Sequence, residues 1–132
     1  MLRIIALYCI VAAGVATANG ETLTRGAIEP ALNDVTIWYE PLSPASARQY
    51  FNRNGETPYI DEAGAKTFGR WLVRGDQYCS QWPPSDRYVC YGVEREITPE
   101  GAPRITFISG GDGKRYTGIA KQGNNIDTAW ME

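Results

Sequence analysis

The carboxylates Asp61, Glu62, Glu94, Glu96, Glu100 and Asp112 are the side chains from which acid–base chemistry could be assembled. A carboxylate-dependent glycan hydrolase needs two such groups flanking a glycosidic bond, one to protonate the leaving oxygen and one to act as base or nucleophile. Several of these residues sit beside turn residues, where acidic side chains are ordinarily solvated surface groups. Other constellations are excluded by composition. The chain has no histidine, which removes Ser-His-Asp and Cys-His nucleophilic systems, histidine-ligated zinc and haem, and an imidazole pH switch. No metal site and no cofactor is expected.

Two short motifs invite a ligand and lose it on inspection. Gly110-Gly111-Asp112-Gly113-Lys114 resembles a phosphate-binding loop, but Ile108 stands where that motif needs its first glycine, and Arg115 stands where it needs Ser or Thr. Its glycines suit a hairpin loop with positive φ, and Asp112 lacks the spaced oxygen ligands of a calcium loop. Arg74-Gly75-Asp76 spells an adhesion tripeptide, yet Gly75-Asp76 is already the Gly-X pair that a two-residue type II′ turn prefers.

Cysteine placement carries more. Cys79 and Cys90 are symmetric about Pro83-Pro84-Ser85-Asp86. A hairpin with that loop sets them directly opposite, where a non-hydrogen-bonded pair brings Cα atoms to roughly 4.5 Å, within reach of a disulfide. Oxidation also removes a thiolate nucleophile. An oxidised pair implies export, and the first residues agree: Arg3 precedes the apolar run from Ile4 to Val15, with Ala16-Thr17-Ala18 as a cleavage site. Residues 1–18 therefore read as a signal peptide and 19–132 as a single β domain. The apolar run is shorter than the about 20 residues of a membrane span, and Cys9 leaves with it. No membrane span is expected after cleavage, and the location is periplasmic or secreted. The net charge of −2, without a long basic block, argues against nucleic acid.

The elements that must position these residues are mainly strands. Thr24 is a candidate N-cap for one short N-terminal helix from about Arg25 to Leu32, with Ile28 and Leu32 on one face and Pro30 against it. Val35, Ile37 and Tyr39 alternate with Thr36, Trp38 and Glu40 as in a half-buried strand. Asn52-Arg53-Asn54-Gly55 and Asp61-Glu62-Ala63-Gly64 mark turns. The turn at Gly75-Asp76 pairs Val73 with Tyr78, Leu72 with Cys79, Trp71 with Ser80 and Arg70 with Gln81. The next hairpin continues these rows to Tyr91, Cys90, Val89 and Tyr88, and sets Trp82 against Arg87. A core face of Trp71, Val73, Tyr78, Trp82, Val89, Tyr91 and Val93 follows. A last hairpin sets Phe107 opposite Tyr116 and Ile105 opposite Gly118. Consecutive hairpins make an antiparallel meander, which buries its apolar face by forming a small barrel or a strongly curled sheet.

Trp38, Trp71, Trp82 and Trp130, with eight tyrosines, supply amphipathic rings suited to core packing and to ligand stacking. On the face opposite the core, Arg70, Gln81 and Tyr88 form one cross-strand row, extended by Trp82 and Arg87 at the hairpin tip, with a Trp82–Arg87 cation–π contact. This set is the candidate ligand- or partner-binding surface. The pattern Gly69-Arg70-Trp71, Gly75-Asp76, Tyr78-Cys79, Trp82, Cys90-Tyr91, and Phe107 followed by the glycine loop resembles small exported single-disulfide proteins of unknown function from alphaproteobacteria. The resemblance implies a periplasmic β domain and carries over no catalytic residue. The expected function is a non-enzymatic binding or envelope-associated module, its partner a small molecule, a glycan or an envelope protein. The alternatives are the glycan hydrolase and an inhibitor of an extracellular enzyme using the rigid Trp82-Pro83-Pro84-Ser85 tip.

Overall fold

The computed structural model describes residues 20–128; the signal-peptide stretch and Trp130 lie outside them. Among these residues one short helix, α1 (Arg25–Leu32), accompanies nine strands. These are β1 (Glu21–Thr22), β2 (Val35–Tyr39), β3 (Arg48–Phe51), β4 (Glu56–Ile60), β5 (Lys66–Arg74), β6 (Gln77–Gln81), β7 (Val89–Ile97), β8 (Pro103–Ser109) and β9 (Arg115–Gln122). From β2 to β9 each strand pairs antiparallel with the next, and β9 returns to β2, so eight strands close into an up-and-down barrel. Of the two outcomes open to the meander, the barrel is the one realised.

The hairpin chemistry read from the sequence sets the register. Gly75 has φ +60° while Asp76 does not take positive φ, the type II′ pattern, and it places Arg70, Trp71, Leu72 and Val73 opposite Gln81, Ser80, Cys79 and Tyr78. Cys79 lies opposite Cys90 with Cα atoms 4.0 Å apart, and the two form a disulfide. Closing a loop of sequence separation 11 constrains the unfolded chain by roughly 2–3 kcal/mol on the chain-entropy model. Phe107 faces Tyr116 and Ile105 faces Gly118, as expected.

The helix spans the residues read from the sequence and runs through Pro30. Burial of Ile28 and Leu32, both fully inside, holds it against the lost hydrogen bond. Thr24 occupies the N-cap position without a side-chain bond. Asp76 serves instead: its Oδ1 accepts the Arg25 backbone N–H at 2.8 Å. The tripeptide Arg74-Gly75-Asp76 thus has a turn and a helix contact to account for it. Leu23, Ile28 and Leu32 join Val35, Ile37, Phe51, Trp71, Val93 and Ile105 in a core that fills the helix end of the barrel. The two-residue β1 pairs with β7 at Glu94 and Arg95, on the edge that β6 leaves after Tyr91.

Three expectations are corrected. First, β2 is buried on both faces rather than one: Thr36 and Trp38 are as inaccessible as Ile37. A strap formed by residues 123–127 covers its outer side. Thr36 Oγ1 donates to the Gly123 carbonyl at 2.7 Å and accepts from the Asn125 N–H at 2.9 Å. The buried Arg48 donates from Nε to the carbonyls of Asn125 and Ile126 (3.2 and 2.9 Å) and from Nη1 to that of Ser46 (2.9 Å). Its guanidinium lies 4.8 Å from the Trp38 ring centroid, and Lys66 pairs with Asp127 at 2.6 Å.

Second, the β6–β7 ladder stops at Ser80 and Val89, so the rows Gln81–Tyr88 and Trp82–Arg87 do not form. Pro83 and Pro84 have no N–H for a ladder. Third, Val89 leaves the core: it stands at the open rim, 49% exposed, while Val73 is half-buried at the core's edge.

Arg48→Met keeps the side chain's length and removes its donors, leaving three carbonyls without their charged partner. The expected loss is about 3 kcal/mol in urea unfolding, with faster amide exchange at Asn125. A loss below about 1 kcal/mol would mean that other contacts hold the strap.

A candidate binding site in the barrel mouth

Interior side chains alternate with exterior ones along every strand of a barrel, and here the two ends of the interior differ in kind. Toward the helix they are aliphatic residues with Phe51 and Trp71. Toward the opposite mouth, seven aromatic rings surround a cavity of about 570 Å³. The position of each follows from strand parity. Tyr39 is two residues beyond Ile37 on β2, Tyr78 and Ser80 alternate on β6, Tyr91 is two before Val93 on β7, and Phe107 is two beyond Ile105 on β8. Tyr59 and Thr67 come from the paired strands β4 and β5, and Tyr116 from β9 opposite Phe107.

The rings are in mutual contact. Tyr78 stacks on Tyr91, with centroids 5.5 Å apart and planes at 21°, and Phe107 lies 4.7 Å from Tyr78. Tyr91 meets Tyr116 edge to face at 6.1 Å, and Tyr59 meets Trp82 in the same way at 6.0 Å. Such arrangements satisfy the ring quadrupoles and fix the wall.

Trp82 enters the mouth because of a gap on the next strand. A Cβ on Gly69 would lie 2.6 Å from Trp82 Cε3 and 2.7 Å from the Gln81 carbonyl oxygen. Only glycine at this position lets the indole lie across β5. The indole N–H then donates to Ser80 Oγ at 3.1 Å.

The polar groups deep in the mouth are committed to one another. Tyr39 donates its hydroxyl to Gln49 Oε1 at 2.8 Å, and Gln49 Nε2 donates to Tyr78 Oη and Thr57 Oγ1, both at 2.9 Å. Thr57 donates its own hydroxyl to the Tyr50 carbonyl at 2.8 Å. Burial pushes the Tyr78 phenol up to about 12 and holds that of Tyr39 well above its ordinary value. Both are neutral at ordinary pH. Burial also raises Tyr59 and Tyr91, but nothing among the described residues hydrogen-bonds their hydroxyls or that of Tyr116.

Charge is confined to the rim and is paired. Among the described residues Glu40 is the one carboxylate on the cavity lining. It receives Arg104 Nε and Nη2 at 2.8 and 3.0 Å, and these bonds hold its carboxyl below the usual range. Arg115 Nη2 reaches Glu94 at 2.6 Å. The remaining acidic candidates lie elsewhere. Glu96 joins Arg104 at 3.2 Å, Asp61 Oδ1 closes its own turn through the N–H groups of Ala63 and Ala65, and Asp112 accepts the Lys114 N–H at its loop. Glu62 and Glu100 are exposed. Among the described residues no group of His, Cys, Asp and Glu is arranged to hold a metal ion.

The sequence-derived surface row is divided by the fold. Arg70 and Gln81 face each other across β5 and β6, with Arg70 exposed. Tyr88, beyond the ladder, has the Arg74 guanidinium 5.8 Å from its ring centroid. Arg87 is exposed, its backbone N–H bonded to Ser85 Oγ. Of the five residues only Trp82 belongs to the mouth, where its neighbour is Tyr59 and not Arg87. The residues that sequence reasoning did not assemble are Tyr39, Gln49, Tyr59 and Tyr116. Their parity on each strand was the available signal, and barrel closure is what turns it into a site.

No protein-family model, no curated protein and no solved structure matches the chain.

Gly69→Ala is expected to lower stability by about 1–3 kcal/mol and to redden Trp82 emission as the indole is forced outward. Adding Trp82→Ala should recover only part of the loss, because the Gln81 carbonyl still meets the new methyl. Full recovery would place the whole clash on the indole, and no loss at all would mean that Trp82 is not held against Gly69.

A second outcome concerns pH. The Tyr78 proton is held more tightly folded than unfolded, so its contribution is complete below about pH 10 and is lost as pH rises through about 12. Urea midpoints should fall across that window by on the order of 3 kcal/mol in stability, with a slow class of tyrosinate absorbance that appears only on unfolding. A single fast class titrating near pH 10 would contradict a sealed Tyr39–Gln49–Tyr78 network.

Proposed function

We propose that this chain is an exported small-molecule-binding barrel that takes its ligand through the aromatic mouth. The observation that carries this reading is the cavity itself: about 570 Å³, within the size range of ligand sites, walled by fixed aromatic rings, with its deep polar groups already satisfied. Its opposite end is filled by α1 and the aliphatic core, so ligand entry and exit share one opening. The signal-peptide pattern and the disulfide support export and a periplasmic or secreted location. A binding role needs no nucleophile or metal. The hydrolase alternative needs two carboxylates about 5–9.5 Å apart flanking one bond, and among the described residues the cavity offers Glu40 alone, clamped by Arg104.

N-phenyl-1-naphthylamine, an uncharged probe that brightens in apolar surroundings, should bind saturably with one site per chain. Thr67 lines the cavity and is exposed, so Thr67→Trp can obstruct the opening without entering the core. Its expected effect is a loss of about tenfold or more in probe affinity, some 1.4 kcal/mol, at unchanged circular dichroism. Non-saturable binding, or undiminished binding by this variant, would exclude the mouth as the site.

A further inference from the structure

Resting on the mouth as a ligand site, we infer that its ligand is a neutral, flat aromatic molecule with a hydroxyl or carbonyl group at one end, bound ring-first with that group at the rim. Three features of the wall select this class. The large apolar side chains of the lining are all aromatic: among the described residues no Leu, Ile, Val or Met contributes to it. Flexible aliphatic side chains adapt to alkyl tails, whereas rings locked edge to face or stacked, as Tyr78, Tyr91 and Phe107 are, present rigid faces and edges that fit another planar ring.

Polarity is graded along the cavity axis. At depth, Tyr39, Gln49 and Tyr78 bond one another, so a ligand hydroxyl pushed there would lose its water and find its prospective partners occupied. This weighs against a sugar, whose many hydroxyls need many partners. Higher up, the hydroxyls of Tyr59, Tyr91 and Tyr116 have no protein partner among the described residues. They can donate to, or accept from, one polar group at the ligand's outer end.

Charge discriminates as well. Glu40 is held by Arg104 and Arg115 by Glu94, and no other charged side chain among the described residues lines the cavity. An ionised ligand entering it would give up hydration without gaining a counter-ion.

Calorimetric titrations of the mature protein at about pH 7 with 2-naphthol, 2-naphthoate, 1-decanol and methyl β-glucoside separate the possibilities. The expected order places 2-naphthol about tenfold or more above each of the others, a gap of some 1.4 kcal/mol. The combined variant Tyr59→Phe, Tyr91→Phe, Tyr116→Phe should weaken 2-naphthol by about fivefold, and its Tm should stay close to wild type because those hydroxyls bond no protein group among the described residues. Decanol or the glucoside binding as well as 2-naphthol would overturn the ligand class while leaving the mouth a binding site. Equal binding of 2-naphthoate would overturn the charge selection, and full 2-naphthol affinity in the triple variant would overturn the rim-outward orientation. If no probe binds, the ligand class and the mouth site fall together.

Discussion

Closing eight antiparallel strands on themselves removes the exposed sheet edge and creates an interior that side chains must fill. Everything distinctive about this protein follows from how unevenly that filling is done. At one end α1 is drawn across the opening by Ile28 and Leu32 and anchored at its start by Asp76 from the β5–β6 turn. Phe51 sits at the centre, with Trp71, Tyr78 and Phe107 at 5.4, 5.3 and 6.0 Å. From Phe107 outward seven aromatic rings dominate the described inward positions, many of them in contact with one another, and the remaining space is the cavity. The candidate site is therefore a consequence of barrel packing, with the same rings packing into the core on one side and lining the cavity on the other.

The outer surface is managed by different means. Ion pairs link Glu40, Arg104 and Glu96, and separately Glu94 and Arg115, on the outside of the strands near the rim. Pairs this exposed contribute little stability individually. Their more evident consequence is to keep charge engaged at the cavity's edge. Around β2 and β3, the strap and Arg48 convert what would be a solvent face into a second buried layer. Disulfide and strap lie on separate sectors of the wall, the one between β6 and β7 and the other over β2.

Local chemistry was legible in the sequence wherever a turn or a covalent link fixes the register. Gly75-Asp76, the cysteine pair and the glycine loop placed β5 against β6, β6 against β7 as far as Ser80 and Val89, and β8 against β9, because a hairpin allows few alignments once its turn is set. The helix was equally legible from Thr24, Ile28 and Leu32. What did not follow was non-local. Burial of Trp38 depends on residues 123–127 returning over β2, far along the chain, and nothing in the polar run Gly123-Asn124-Asn125 marks a cover for a tryptophan. The inward turn of Trp82 depends on the absent side chain of Gly69 one strand away. The mouth requires β9 to pair with β2, so that Tyr39 and Tyr116 share a cavity with Tyr59 and Tyr91. From sequence, the binding row was placed on the outer face of β5 to β7, and the cavity draws only Trp82 from it.

A rigid aromatic mouth at one end and a filled core at the other give the proposed ligand binding a polarity that can be observed directly. The decisive measurement is a two-dimensional NMR titration of the mature protein with 2-naphthol, following aromatic ring and methyl resonances together. The expected result is a set of saturable shifts at Tyr59, Tyr78, Tyr91, Phe107 and Tyr116, with the methyls of Ile28 and Leu32 at the helix end undisturbed. Shifts centred on Arg70 and Tyr88 on the outer wall, or on the helix end, would contradict a mouth-centred site.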